Sequence, residues 1–460
     1  MKVLLVKPVS GMHVVLPPIG LGYLSSYCKK ENPGTEIKII DCNRERYTRE
    51  KFAGFLRAYL PDIIGFTAFS MELDSALAFA KVAKDTLNNV TVVVGGAHAS
   101  ADAEGVLACP SVDYVFRGEA EIGFAEFIKF FPSPQMLGAP GLAYRAAGSI
   151  VMNAHAYVDD LDTLPFPDYR GMCLEKYPKM YFMKYFPAAP VMSSRGCPFQ
   201  CAFCAGHKIS GRKWRGRSAG SIMAEINYLC DNYNVMEIDF WDDNFTMDRG
   251  RVVQLCSELK RSGRRLAWWC PNGVHLNTLD QNLIKEMKES GCYAMAFGVE
   301  SGSEAIRKDM GKILSPGKLR EMVTFAHSAG LRTQGFFIIG YPSEREEDIL
   351  ETIRLSKTLP FLRASFCLFQ PIPGSAAYEK LFGPGGNGRT AGMELACDYS
   401  RSSVPTAYIR DTARIKKLQK KAILEFYMRP RVLLRLIREN LTVTQFWELV
   451  NILKHYILRK

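Results

Sequence analysis

Two hydrophobic periods alternate along the chain. Over residues 1–131, short β-rich runs occur at Lys2–Val6, Glu36–Asp41, Asp62–Phe69, Thr91–Gly95 and Tyr114–Phe116. Amphipathic stretches lie beside them at Ile19–Lys30, Arg49–Leu60, Leu73–Leu87, Ala101–Leu107 and Phe124–Phe131. The runs read as strands and the stretches as helices. This alternation predicts an α/β domain on a doubly wound parallel sheet, with ligands at the carboxyl ends of its strands. Pro132-Ser133-Pro134 and Pro165-Phe166-Pro167 punctuate a connecting region over 132–188. From 189 to 375 the rhythm resumes with longer periods. Strands are predicted at Pro190–Ser194, Glu237–Trp241, Leu266–Cys270, Ala294–Val299, Thr333–Ile339 and Ser365–Phe369. Helices are predicted at Ser221–Asp231, Arg249–Arg261, Leu283–Ser290, Lys318–Ala329 and Glu347–Thr358. About six βα units predict a partial (β/α)6 barrel of the TIM type, with its chemistry at the strand carboxyl ends. A Gly-rich loop at Gly383–Gly392 and a basic helical segment occupy 376–460.

Composition narrows the class. The 460 residues are 47% hydrophobic and 23% charged, ordinary globular values that exclude a disordered or collagenous chain. No apolar run approaches the roughly 20 residues of a membrane span, and Met1–Pro8 is too short for a secretion signal, so a cytoplasmic protein is expected. The net charge is +12. From Arg401 to Lys460 there are fourteen Lys/Arg against four Asp/Glu, so the tail is basic and the body nearly neutral. That distribution argues against a nucleic-acid enzyme. Thirteen cysteines in a chain without an export signal point to metal or redox use of a subset rather than to disulfides.

One subset stands out. Cys197, Cys201 and Cys204, in Ser194-Arg195-Gly196-Cys197-Pro198-Phe199-Gln200-Cys201-Ala202-Phe203-Cys204, follow the first barrel strand with C-x3-C-x2-C spacing. Three thiolates can hold three irons of a cubane and leave the fourth open. A zinc site would need a fourth ligand, which His207 could supply. The triad on this loop of a six-unit barrel resembles the radical S-adenosylmethionine (SAM) superfamily. That resemblance implies a [4Fe-4S] cluster whose open iron chelates SAM. Its reduction, by a low-potential donor such as flavodoxin or ferredoxin, cleaves SAM to methionine and a 5′-deoxyadenosyl radical. It also implies SAM contacts at later strand ends: Asp242, Asp243 and Asn244 for the ammonium, Glu300 and Ser301 for the ribose and carboxylate, and Ile338 and Gly340 beside adenine. Asp248 reads instead as a helix N-cap.

The first domain carries a second set. Pro17-Pro18-Ile19-Gly20-Leu21-Gly22 opens the first helix, Thr67 to Ser70 follows the third strand, Gly95-Gly96-Ala97-His98-Ala99-Ser100 the fourth, and Arg117-Gly118-Glu119-Ala120-Glu121 the fifth. A phosphate site competes, but neither G-x-G-x-x-G nor G-x4-G-K-[ST] is present. The order of these elements resembles the Rossmann-like cobalamin-binding domain that precedes many radical SAM barrels. The resemblance implies cobalamin contacts from Gly20, Gly22, Thr67, Ser70, Gly95, Gly96 and Ser100. Asn43 stands where a D-x-H-x-x-G motif would place the histidine ligand of cobalt, so no lower histidine is expected there.

The resulting expectation is a cobalamin-dependent radical SAM enzyme acting on an unactivated carbon, first of all as a C-methyltransferase. An oxidative cyclase without methyl transfer would share every motif. A cobalamin or SAM sensor would have no need of a reducible open iron. The tail, with Phe446-Trp447 and Leu449-Val450 among arginines and lysines, reads either as a packed cap or as a peripheral membrane contact. The second would suit a lipid, isoprenoid or tetrapyrrole substrate.

Overall fold

The computed structural model describes residues 1–10, 15–180, 182–383 and 404–438. Five parallel strands open it: β1 (Lys2–Lys7), β2 (Glu36–Asp41), β3 (Ile63–Thr67), β4 (Thr91–Gly95) and β5 (Tyr114–Phe116). They lie in the order 2-1-3-4-5. Helices cover both faces, so the inner strands are continuous apolar runs such as Val92-Val93-Val94, while the edge strand β2 begins with alternation. The order reverses between β1 and β3, which opens a crevice at their carboxyl ends.

Two further strands, β6 (Leu142–Ala146) and β7 (Ser149–Met152), extend this sheet antiparallel from β5. No strand was expected between 132 and 188. The proline pairs that marked this region flank the hairpin without interrupting it. Its two-residue turn puts Ala147 at φ +47° and Gly148 at φ +78°, the primed geometry that hairpins favour.

The second sheet has six parallel strands: β8 (Ala188–Val191), β11 (Glu237–Phe240), β12 (Ala267–Val274), β13 (Cys292–Glu300), β14 (Arg332–Ile339) and β15 (Arg363–Leu368), in chain order across the sheet. This is the expected partial barrel. Between β8 and β11 lies a short antiparallel pair, β9 (Ser194–Arg195) and β10 (Arg215–Gly216). The helix Thr412–Tyr427 packs Ile415, Leu418, Ala422 and Phe426 into the barrel's core. The helix Pro430–Arg438 follows, with Met428 and Leu434 exposed beside Arg431 and Arg435. The rest of the tail, Phe446-Trp447 included, and most of the Gly-rich loop lie outside the described residues. Among the described residues no helix is long and apolar enough to cross a membrane.

Charge joins the two domains. Glu119 and Glu121, in the turn after β5, meet Arg195 of β9 and Arg215 of β10. Arg215 binds Glu119 through both guanidinium nitrogens, at 2.5 and 3.0 Å. Arg195 lies 2.6 Å from Glu121 and 3.3 Å from Glu119. All four side chains are buried. Burial alone would raise the Glu121 carboxyl, but the Arg195 guanidinium prevails and holds it below its ordinary range.

Removing one partner of such a cluster leaves an uncompensated buried charge. Glu119→Gln is expected to cost about 3 kcal/mol, measured from the urea midpoint. Asp159→Asn, which breaks the exposed pair with Lys213, is expected to leave the midpoint unchanged.

Candidate active site

The cysteine loop leaves β9 through Gly196, whose φ of +84° and close approach to the Lys213 carbonyl suit glycine (a Cβ would come within 2.3 Å). The loop closes on itself and on the barrel. The Cys204 N–H donates to the Cys201 carbonyl at 3.0 Å, and the Ala202 N–H to the Met310 carbonyl at 2.8 Å. The Gly206 N–H points at Cys204 Sγ, 3.4 Å away. Phe199 stacks face to face on His275, with ring centres 3.7 Å apart and planes 7° apart. Burial, with Lys312 and Lys318 nearby, pushes the His275 imidazole down to about 3, so this ring is neutral.

The three thiols share one electrostatic environment. Burial raises all of them, Cys201 to about 11, while Lys312 pulls each the other way. Cys197 and Cys204 also feel Asp243, and Cys201 and Cys204 feel Glu300. Lys312, which no motif singled out, is therefore central. It is buried and lies 3.3 Å from Glu300. Glu300 takes φ +66°, unusual for a residue with a Cβ. Gly298 leaves room for the pair, since a Cβ there would lie 2.5 Å from Glu300 Oε1 and 2.9 Å from Lys312 Nζ.

The other expected SAM residues divide. Asp242 is consumed by structure: its carboxylate accepts from the Ser193 N–H at 2.7 Å and from the Ser193 and Ser194 hydroxyls at 2.5 and 2.6 Å. Asp243 faces the thiol loop, accepting from the Gly196 N–H at 3.2 Å. Asn244 is buried, and its Nδ2 has no hydrogen-bond partner. The Ser301 hydroxyl is engaged with Thr352 at 3.2 Å. Ile338 packs in the cluster that includes Phe203 of the thiol loop. Gly340, at φ +82°, lies against Ile415, and its N–H donates to Glu344 at 2.7 Å. Asp248 is the N-cap of Arg249–Arg261.

A cleft of about 860 Å³, open mouth included, lies at the switch point of the first sheet. Leu5, Gly65, Thr67, Val93, Gly95, Gly96 and Phe116 form its floor, with Gly20 and Leu24 on one side. Met192, Arg195, Ile209 and Ser210 of the second domain complete it. Of the expected cofactor residues, Gly20, Thr67, Gly95 and Gly96 line the cleft. Gly22 packs on Met172 and Pro167, the Ser70 hydroxyl meets His98 Nδ1 at 2.9 Å, and Ser100 Oγ bonds the Gly96 carbonyl and the Gly118 N–H. Asn43 is bonded to Asp41 and Ser10.

Two family models match these two halves: a B12 binding domain over residues 9–128 and the radical SAM superfamily over 191–356. An uncharacterized methyltransferase of Pyrococcus horikoshii is 34% identical across 96% of this chain and 95% of its own. The chain belongs to the cobalamin-dependent radical SAM family. The cytidylyl-2-hydroxyethylphosphonate methyltransferase of Streptomyces wedmorensis is 28% identical over 78% of this chain and 76% of its own. The anaerobic magnesium-protoporphyrin IX monomethyl ester cyclase of Cereibacter sphaeroides is 26% identical over 79% and 60%. The radical SAM methyltransferase TsrM of Kitasatospora setae, solved with cobalamin and a [4Fe-4S] cluster, shares the fold at a TM-score of 0.71 and 16% identity, over 83% of this chain and 77% of that one.

The residues fit the family's cofactors: a [4Fe-4S] cluster, SAM and cobalamin. A zinc site gathers its ligands within about 2.3 Å of one point. A cubane instead offers each thiolate a separate iron. His207, the alternative fourth ligand, is hydrogen-bonded to the Cys204 backbone. For cobalamin, the cleft offers mainly apolar walls, with Thr67, Ser210 and the paired Arg195, Glu119 and Glu121 as its polar members, a lining that suits a ligand of mixed polarity. Gly20 gives the cleanest probe, because a Cβ there meets nothing within 4 Å. Gly20→Trp is expected to fold normally and to fill the cleft, cutting cobalamin retained after gel filtration severalfold. Full retention would contradict this placement.

Proposed function

We propose that this enzyme methylates an unactivated carbon of a small molecule. The observation that carries the reading is a shared wall. Arg195, two residues before Cys197, and Ile209 and Ser210, just after Cys204, also line the first domain's cleft. One cavity can then present a substrate carbon to both cofactors in turn. When bound, the cluster and SAM supply a hydrogen-abstracting radical, and cobalamin supplies a transferable methyl group. The chain's own part is positioning. Cys197, Cys201 and Cys204 hold the cluster. Asp243 and Asn244 are assigned to the SAM ammonium. Glu300 with Lys312 is assigned to the ribose and carboxylate, and Ile338 to one side of the adenine. Thr67, Gly95 and Gly96 form the floor under the cobalamin. The methyltransferases among the relatives support this reading over the cyclase.

Each turnover should consume two SAM, releasing 5′-deoxyadenosine and methionine from one and S-adenosylhomocysteine from the other. Anaerobic assay with reductant is expected to give deoxyadenosine and S-adenosylhomocysteine in about equal amounts. Cys197→Ala, losing most of about four irons, should yield neither. Deoxyadenosine alone, with a product lacking a new methyl, would assign the enzyme to the cyclase reaction.

We also assign the basic tail to an anionic membrane surface, which delivers an apolar substrate. Exposed Met428, Leu433 and Leu434 stand among the exposed Arg431, Arg435 and Arg438. In sedimentation with anionic vesicles, the full chain is expected to bind and to be released by salt, and a chain truncated before Arg429 to stay in solution. Equal, salt-insensitive behaviour of the two would return the tail to a packed cap.

A further inference from the structure

The segments that wrap the cluster loop have an unusual composition. Residues 197–217, 272–278 and 310–318 contain no aspartate or glutamate. Contacts make them one face. Arg212 Nη1 donates to the Phe199 carbonyl at 3.1 Å, and Phe199 stacks on His275. Asn277 Nδ2 donates to the Ile313 carbonyl at 3.0 Å, and Lys318 Nζ to the Asn277 carbonyl at 3.4 Å. Gly311 sits so close to Gln200 that a Cβ would come 2.6 Å from its carbonyl. At the centre, Pro198 and Gln200 are exposed between the first two ligand cysteines. Beside them Ile313 is 77% exposed, the most exposed large apolar side chain among the described residues.

The cations of this face are weakly compensated. Arg212 and Lys318 give these hydrogen bonds to neutral carbonyls. Lys213 pairs with Asp159 where both are over 75% exposed, and Lys208 is 3.9 Å from Glu379. Pairs so exposed neutralise little of the field.

We propose that this face docks a small acidic one-electron carrier protein and is where the cluster's electron enters. The proposal rests on the radical SAM reading. One electron leaves the carrier, which is oxidised by one unit, and enters the cluster, which is reduced by one. No bond forms or breaks at this step. The basic rim steers the acidic partner, Ile313 supplies an apolar contact at the centre, and the thin Pro198–Gln200 loop keeps the cluster close to the surface.

The test compares the holoenzyme with Lys213→Glu/Lys318→Glu, with Ile313→Ser, and with Lys416→Glu as a charge change outside this face, on the Thr412–Tyr427 helix. A bacterial flavodoxin is the probe. Its oxidised form is titrated calorimetrically, and its reduced form drives SAM cleavage in parallel with dithionite. The double variant is expected to bind flavodoxin roughly tenfold more weakly at low salt, a difference that high salt abolishes. Its flavodoxin-driven cleavage falls in step, with dithionite-driven cleavage and iron content unchanged. Ile313→Ser weakens binding at any salt, and Lys416→Glu changes nothing. Equal flavodoxin affinity in all four proteins would overturn the proposal. So would an equal loss of dithionite-driven cleavage, which would give the face to the cluster or the substrate. A holoenzyme that cleaves no SAM even with dithionite would refute the radical SAM reading, while the calorimetry would still judge the docking face.

Discussion

Four buried charges between the domains hold the rest in place. Taking Glu119, Glu121, Arg195 and Arg215 out of water is expensive, and their mutual attraction repays it only if every charge finds its partner. The arrangement is therefore selective. A tilt of one domain against the other would strand at least one buried guanidinium or carboxylate. Because Arg195 stands two residues before Cys197, the same constraint that fixes the domain angle fixes the root of the cluster loop. The cleft and the thiol loop share a wall for this reason.

A second constraint acts at the end of β13. The pairing of β13 with β14 shifts register between Gly298 and Glu300, and Glu300 enters the left-handed region there. Such a conformation costs about 1 kcal/mol or more for a residue with a side chain. It persists because its neighbours determine it. The Ser301 N–H bonds the Val299 carbonyl, the Arg307 guanidinium holds the Ser301 carbonyl, and Lys312 draws the Glu300 carboxylate inward. The register shift re-aims one side chain, a common use of a bulge beside a site. It turns Glu300 toward the thiols, while Ser301 turns away to Thr352.

What was legible in the sequence is what depends on local pattern. The period of apolar residues gave the five parallel strands of the first sheet, the six of the second and the helix Arg249–Arg261 at its observed limits, but not the β6–β7 hairpin, and residue spacing marked the cysteines. Roles that depend on a partner far along the chain were not legible. Glu121 and Arg195 are 74 residues apart, and Glu119 and Arg215 are 96 apart, so a conspicuous run after β5 gave no hint of its partners. Asp242 and Asp243 look equivalent as letters. The pairing of Phe240 with Val191 carries Asp242 to Ser193, while Asp243, in the turn beyond β11, meets the Gly196 N–H instead. Gly22 and Ser100 sit within the right motifs but serve packing and backbone bonding. Lys312 lacked any local signal; only the fold sets it beside Glu300.

The segment after Cys204 divides its charge between two tasks. Arg215 and Arg217 turn inward to Glu119 and Glu225, while Arg212 and Lys213 stay exposed. A count of charges along the sequence cannot separate these sets, and averaging over the body hid a local excess behind near-neutrality. The inward pair anchors the segment directly after Trp214, whose own Nε1 donates to the Asn244 carbonyl at 3.1 Å. Its outer face is therefore already ordered before any partner arrives, and association there need not supply the entropy of ordering a loop. The interior charges make the interface selective, and by holding this strip rigid they also fix where the exterior charges stand relative to the cluster loop.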